Sequence, residues 1–302
     1  MKIVIFILLV LPGIASAKTI ELVSNFIYSN ESNVDSGAIY HRVTIPQTTK
    51  HQKVLKIDAQ GLKYKIKNHK NSNESKFIEV IFNVPKKSII NKNIIFTIDI
   101  DEYTFSLDDT DGLTIEEIIE KKLSNYIIPS KYIESNSREI RAISKALMRN
   151  VTSFKEKVKS TYEFVNDYLV FKKLPVRTSA LQSLQNGYGD CTEFSDLFVA
   201  ISREMKIPAR TVALFNYKNS RTFNMPNHNE AEIYLKNYGW VIVYTNLGLG
   251  KYINNYALGR VTSDNILYKV ENVWTWSNFF SKKRVSKDSI TSKVKWQIKN
   301  LK

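Results

Sequence analysis

Two residues of this chain have the type and the placement that thiol chemistry requires. Cys191 is the only cysteine among 302 residues, and it stands directly before a helical pattern, behind Gly187, Gly189 and Asp190. His228 is the only histidine that follows it in the chain, and it leads into a strand pattern. A cysteine nucleophile and a histidine base that lie far apart in sequence and close in space form a recurrent catalytic arrangement.

The sequence predicts that Cys191 lies in the first turn of a helix. Its glycines permit a tight turn, and Asp190 is a residue type that caps helix N-termini. One apolar stripe follows at helical spacing, made of Phe194, Leu197, Phe198, Ile201 and Met205. The partial positive charge of a helix N-terminus favours a thiolate, and its free N–H groups can stabilise an oxyanion.

Each of the two residues also has a structural interpretation. Cys191 alone could be a buried thiol that packs the helix start, and His228 alone could be an exposed loop histidine. Their joint occurrence favours catalysis. Two acidic residues of the same helix, Glu193 and Asp196, are expected on its solvated face.

The first 17 residues have the pattern of a secretory signal peptide. Lys2 is followed by the apolar run Ile3–Leu11 and by Ala15-Ser16-Ala17, a small-residue cleavage signal. The apolar run is too short to cross a bilayer. We therefore expect a mature chain that begins at Lys18 and is secreted or periplasmic, and its lone cysteine excludes an internal disulfide.

The chain is basic, with a formal net charge of +15. Removal of the signal peptide removes one lysine, and 43 basic minus 29 acidic residues leave +14. Such a charge could attract an anionic envelope polymer. The basic residues are scattered and match no nucleic-acid-binding motif, so we expect no nucleic-acid partner. No later segment is apolar enough to cross a membrane, so no integral membrane segment is expected after signal cleavage.

The element pattern predicts an α+β protein with two parts. Residues 18–112 contain short strand patterns such as Phe77–Val84 and Asn93–Ile100, typical of an antiparallel β-sandwich. Residues 113–281 contain helical patterns followed by a β-hairpin near Trp240, and residues 282–302 are a basic tail with little pattern. The histidines and the lone cysteine show no metal-ligand spacing and no phosphate loop occurs, so neither a metal nor a cofactor is expected.

Two segments resemble the transglutaminase-like superfamily. Leu181–Phe215 is similar to its Gly-x-Cys turn, helix, Pro-Ala-Arg and strand, and His228–Asn246 resembles its histidine and Gly-Trp segment. The resemblance covers roughly residues 115–260. It implies a papain-like α+β core and acyl transfer through a thioester, with Cys191 as the nucleophile and His228 as the base.

The resemblance is incomplete at the third catalytic position. The superfamily places an aspartate there, and this chain has Tyr244. Two replacements are candidates: Asn246, which would share a strand face with Tyr244, and Tyr244 itself through its hydroxyl. Asn229 and Glu230 replace the small residue and the tryptophan that follow the histidine.

The sequence thus favours an exported cysteine enzyme that acts on amide bonds of a protein or peptide. Hydrolysis by a peptidase or amidase and protein-glutamine acyl transfer use the same two residues, and hydrolysis is the simpler prediction because water is abundant. The alternative is a catalytically impaired binding or scaffolding protein of the cell envelope, which the missing aspartate would explain.

Overall fold

The computed structural model describes residues 18–69, 72–149, 151–246, 259–270, 278–279 and 289–301. The predicted signal peptide, residues 1–17, lies outside the described residues.

Within those residues the chain alternates between strand-rich and helix-rich stretches. The strands are β1 (Lys18–Asn30), β2 (Ile39–Thr44), β3 (Gln52–Asp58), β4 (Tyr64–His69), β5 (Ser72–Phe82), β6 (Ser88–Ile100), β7 (Tyr103–Thr104), β8 (Val170–Phe171), β9 (Tyr188–Gly189), β10 (Ala209–Asn216), β11 (Thr222–Phe223), β12 (His228–Leu235), β13 (Gly239–Val243), β14 (Arg260–Val261), β15 (Asn265–Val270), β16 (Asn278–Phe279) and β17 (Ile290–Asn300). The α-helices are α1 (Ile115–Glu120), α2 (Arg138–Leu147), α3 (Phe154–Tyr168), α4 (Ala180–Asn186) and α5 (Cys191–Glu204). A short 3₁₀ helix spans Ser124–Tyr126.

Strands from the first part of the chain, joined by β11, β16 and β17 from later in the sequence, form two antiparallel sheets packed around an apolar core. One sheet has the strand order β11-β17-β1-β6-β3 and the other β16-β2-β5-β4. Alternate residues of β1 and β6 point inward, so that Ile20, Phe26, Phe96 and Ile98 are fully buried.

Residues 290–300 were expected in an unpatterned basic tail, and they instead form β17. This strand pairs with β1 from Ile20↔Asn300 to Asn30↔Ile290. Trp296 and Ile298 are buried in the sandwich core, and Gln297 between them and Lys295 and Lys299 beside them are exposed. The exposed lysines gave the segment its basic composition and concealed a two-residue alternation.

The second part packs helices on a four-stranded sheet with the order β13-β12-β10-β15. Helix α5 lies at its centre and contacts β10, β12 and the helices α2, α3 and α4. The predicted hairpin is present as β12 and β13. The α+β class is confirmed. None of the described helices is long and apolar enough to span a lipid bilayer.

The central position of α5 corrects the prediction that Glu193 and Asp196 are solvated. Both residues have no exposed surface, because helices and strands surround α5. Buried carboxylates need partners. Arg177 donates two hydrogen bonds to Asp196, at 2.7 and 2.9 Å, and the Thr211 hydroxyl donates a third at 2.7 Å.

The sandwich and the helical part share a continuous interface. Phe215 at the end of β10 and Tyr268 of β15 are part of the sandwich core. Gln52 of β3 also pairs with the backbone of Leu267 in β15, donating to its carbonyl at 2.7 Å and accepting from its amide at 2.8 Å. The sheet that carries His228 is therefore fixed against the sandwich.

Candidate active site

The turn before Cys191 is built from local sequence signals. Helix α4 ends at Gly187, whose φ of 72° lies in the left-handed region that glycine adopts at low cost. Asp190 caps α5: its side chain accepts a hydrogen bond from the amide of Thr192 at 2.9 Å. This confirms the predicted N-cap and places Cys191 in the first turn of α5.

Glycine at position 189 is required by the close approach of Glu193. A Cβ at residue 189 would lie 2.3 Å from the Cβ of Glu193, a distance at which the backbone must shift. The Glu193 carboxylate accepts from the amide of Asp190 at 3.0 Å and from the amide of Thr178 at 2.8 Å. The buried glutamate thus fixes both the cysteine turn and the loop that runs beside it.

His228 is the first residue of β12, and its imidazole lies between a carboxylate and the thiol. Its Nε2 is 2.6 Å from Oε1 of Glu230, the residue two positions further along the same strand. The Cys191 side chain is near enough to the ring to raise the pKa of the imidazole. Because Nε2 faces Glu230, Nδ1 is the nitrogen left to exchange a proton with the thiol. A hydrogen bond of 2.8 Å from Asn229 to the Thr192 hydroxyl joins the start of β12 to the start of α5.

The surroundings of His228 favour its protonated form. Burial alone would lower the pKa of the imidazole, because it disfavours the charged form. Hydrogen bonds and charge interactions with Cys191 and Glu230 outweigh burial and raise the pKa of His228 to about 10. At neutral pH the site therefore holds an imidazolium between two groups that can each carry a negative charge.

Glu230 is buried and fully engaged. Its side chain is 1% exposed, and its second oxygen, Oε2, accepts from the amide of Thr245 at 2.7 Å and from the Thr245 hydroxyl at 3.1 Å. The Thr245 hydroxyl in turn lies 2.9 Å from the hydroxyl of Ser195, which lies 2.7 Å from the carbonyl oxygen of Cys191. A continuous chain of polar contacts thus runs from the imidazole back to the nucleophile's own helix.

The structure places the two sequence candidates for the third position at the end of β13. The Tyr244 hydroxyl accepts from the side-chain amide of Asn265 in β15 at 2.9 Å. Asn246 is half-buried two residues further on, and among the described residues no hydrogen bond joins it to His228. The carboxylate beside His228 is that of Glu230, which the sequence interpretation treated only as a replacement for a tryptophan.

The signal for Glu230 was present in the sequence. Residues two apart on a strand share a face, so a carboxylate two positions after His228 can reach its ring. Thr245 and Ser195 had no such signal, because they come from other elements and meet Glu230 only in the folded chain.

One protein family matches the part of the chain that contains the site. Residues 141–245, which contain Cys191, His228 and Glu230, match the transglutaminase-like superfamily. No curated protein sequence is a significant match to the chain.

Two solved structures are similar to the chain at low sequence identity. A candidate cysteine protease from Cytophaga hutchinsonii is 14% identical, with a TM-score of 0.64, over 95% of this chain and 92% of that one. The periplasmic domain of TgpA from Pseudomonas aeruginosa is 12% identical, with a TM-score of 0.37, over 76% of this chain and 90% of that one. The first of these has the same fold across the sandwich and the helical part together. Residues 141–245 are therefore the part of the chain that is similar to the transglutaminase-like superfamily.

Proposed function

We propose that this protein is an exported cysteine enzyme that hydrolyses amide bonds in peptides or proteins through a thioester. Cys191 is the nucleophile, His228 is the general acid and base, and Glu230 orients the imidazole. The observation that carries the proposal is the position of the His228 ring: its Nε2 lies 2.6 Å from the buried carboxylate of Glu230, and the neighbouring Cys191 side chain raises its pKa.

Acylation begins from the thiolate–imidazolium pair. The Cys191 thiolate attacks the amide carbonyl carbon, a C–S bond forms, and the carbonyl oxygen takes the negative charge. Asp190 caps the amides of Thr192 and Glu193, which leaves the Cys191 amide as the first-turn donor for that oxyanion. The C–N bond then breaks as His228 gives its proton to the departing nitrogen, which leaves a thioester and a free amine.

Deacylation reverses the roles of the same groups. Neutral His228 takes a proton from water while the water oxygen attacks the thioester carbon. The C–S bond breaks, the carboxylic acid product leaves, and Cys191 returns as a thiolate beside a protonated His228. If a primary amine replaces water, the product is a new amide, and the proton transfers are otherwise the same.

Glu230 takes the role for which the sequence offered Asn246 and Tyr244. A carboxylate hydrogen-bonded to Nε2 holds the ring in the orientation that presents Nδ1 to sulfur, and it stabilises the imidazolium. The superfamily has an aspartate at the position of Tyr244. In this proposal the carboxylate of Glu230, on the neighbouring strand β12, takes the role of that aspartate.

Export rests on the signal-peptide pattern of residues 1–17, and the peptide or protein substrate rests on the chemistry of the site. The likeness in fold to a candidate cysteine protease supports the choice of hydrolysis. The alternative of a catalytically impaired scaffold depended on a missing carboxylate, and Glu230 removes that reason.

The test measures the reactivity of Cys191 without a known substrate. The mature protein is alkylated with iodoacetamide at a series of pH values, with Cys191→Ser as the blank and unfolded protein as the reference thiol. Rapid alkylation well below pH 8.5, the ordinary thiol pKa being about 8.5, is expected. A Cys191 that reacts no faster than the unfolded chain at pH 6 would overturn the enzyme proposal.

A second assay separates the two acyl acceptors. Fluorescently labelled casein is incubated with the protein, with and without a fluorescent primary amine. Release of small labelled peptides supports hydrolysis, whereas incorporation of the amine into intact casein shows transfer and would replace the hydrolytic assignment.

A further inference from the structure

We propose that Thr245 is a positioning residue that holds the Glu230 carboxylate in line with His228, acting together with Ser195 of the nucleophile's helix. This inference rests on the proposed function and adds two residues to it. Thr245 and Ser195 are both fully buried, and neither contacts the thiol or the imidazole in the described hydrogen bonds.

The two oxygens of the Glu230 carboxylate have different partners. Oε1 serves His228, and both donors of Thr245, its amide and its hydroxyl, converge on Oε2. A buried carboxylate without donors is costly and tends to take up a proton. When His228 has given its proton to the leaving amine, the two Thr245 donors are the ones that remain to stabilise the Glu230 charge at Oε2.

The hydroxyls of Thr245 and Ser195 have fewer protons than contacts. Each hydroxyl has one proton, and three contacts are close enough to use them. If Thr245 donates to Glu230, Ser195 can donate either to Thr245 or to the Cys191 carbonyl. If Thr245 donates to Ser195 instead, Ser195 donates to that carbonyl, and Glu230 keeps only the amide of Thr245. The hydroxyl pair can therefore strengthen or weaken its donation to Glu230 as the charge of His228 changes.

Other ionisable groups among the described residues also face Glu230. Cys191 of α5 and His228 of β12 are the reacting pair. Tyr162 of α3 is the third such group, and burial together with the Glu230 charge raises its pKa to about 12. Tyr162 therefore stays neutral over the working range, and a pH effect that follows from Thr245 arises at Glu230, His228 and Cys191.

The experiment compares Thr245→Val, which removes the hydroxyl at nearly constant shape, with Thr245→Ser, which keeps it. The rate of Cys191 alkylation by iodoacetamide is measured from pH 4 to 9. In Thr245→Val the acid limb of the profile is expected to move to higher pH by about one pH unit, the order of one lost hydrogen bond to a buried charge. Thr245→Ser is expected to keep the wild-type profile.

Thr161→Val is the matched control. Thr161 is fully buried, and its hydroxyl donates to the carbonyl of Lys157 in α3 at 2.8 Å, away from Glu230. Thr161→Val therefore loses a buried hydroxyl, and the acid limb of its alkylation profile is expected to stay at the wild-type pH. If Thr245→Val is poorly folded by circular dichroism, Thr245→Ala removes the same hydroxyl without a branched side chain.

The outcomes separate this inference from the proposed function. A wild-type Cys191 that reacts as an ordinary thiol contradicts the enzyme proposal and, with it, the role of Thr245. A reactive wild-type Cys191 with an acid limb that Thr245→Val leaves in place contradicts the role of Thr245 alone. A limb that moves equally in Thr245→Val and Thr161→Val reports general loosening of the core and also overturns the inference.

Discussion

Two neighbouring positions of β12, Glu230 nearer its N-terminal end and Glu232 nearer its C-terminal end, bury carboxylates with very different partners. Glu230 and Glu232 lie on the same face of the strand, and their side chains are 1% and 2% exposed. Glu232 pairs with Arg210 on β10, with 2.6 Å between Nε and Oε2, and the guanidinium lies 4.0 Å from the ring centre of Trp240. Glu230 pairs instead with an imidazole and with the donors of Thr245.

A buried carboxylate needs a partner for its charge, and β12 provides two kinds of partner. A guanidinium stays protonated at every accessible pH, so the Glu232 end has a fixed charge distribution. An imidazole can lose its proton, so the charge balance at the Glu230 end can change within a reaction cycle. We expect substitutions around Glu230 to change catalysis, and substitutions around Glu232 to change stability.

Replacement of His228 is expected to have the largest effect on catalysis. In His228→Gln the amide can still donate to Glu230, so the fold should remain. The residue can no longer exchange a proton with Cys191 or the leaving amine, and kcat/KM for casein should fall by about 10⁴-fold or more. Equal activity of His228→Gln and the wild type, at matched folded protein, would remove His228 from the mechanism.

Replacement of Glu230 comes next in size. Glu230→Gln keeps the shape and an acceptor for Thr245, but it removes the charge that stabilises the imidazolium. We expect kcat to fall by up to about 10⁴-fold with KM little changed, by analogy with the loss of the carboxylate from a catalytic triad. Glu230→Asp should recover part of the rate. If Asn246→Ala or Tyr244→Phe lowers kcat further than Glu230→Gln does, the third position belongs to one of those residues.

The cysteine turn could be predicted in detail because its determinants are local. Gly187, Asp190 and the apolar stripe of α5 all act within a few residues of Cys191. The carboxylate beside His228 was two residues away and was still missed, because its role depends on Thr245, which comes from beyond β13. Strand β17 was missed for another reason: its lysines face solvent and mask the apolar alternation. The burial of Asp196 depends on Arg177 and Thr211, which only the folded chain brings to it.

Replacement of Glu232 should lower the stability of the fold and leave catalysis nearly unchanged. Glu232→Gln leaves the buried Arg210 without its counter-charge, and breaking a buried pair in this way costs about 3–5 kcal/mol of unfolding free energy. Chemical denaturation measures the loss, and activity per folded molecule should stay within about twofold of the wild type. A loss of kcat comparable to that of Glu230→Gln, at full folding, would show that the two ends of β12 are not separate.

The pH dependence of stability gives the smallest and most direct comparison of the two ends. The pKa of His228 is raised in the folded protein to about 10, against about 6.5 for an unfolded histidine. A raised pKa stabilises the fold fully below about 6.5, and this stabilisation is lost as pH rises through about 10. The difference in unfolding free energy between wild type and His228→Gln should therefore shrink from pH 6.5 to pH 10. The same difference for Glu232→Gln should stay constant over that range, because Arg210 does not titrate there. Urea denaturation of the three proteins at pH 6, 8 and 10 measures both slopes, and parallel slopes would mean that the imidazole does not carry the extra proton that distinguishes its end of the strand.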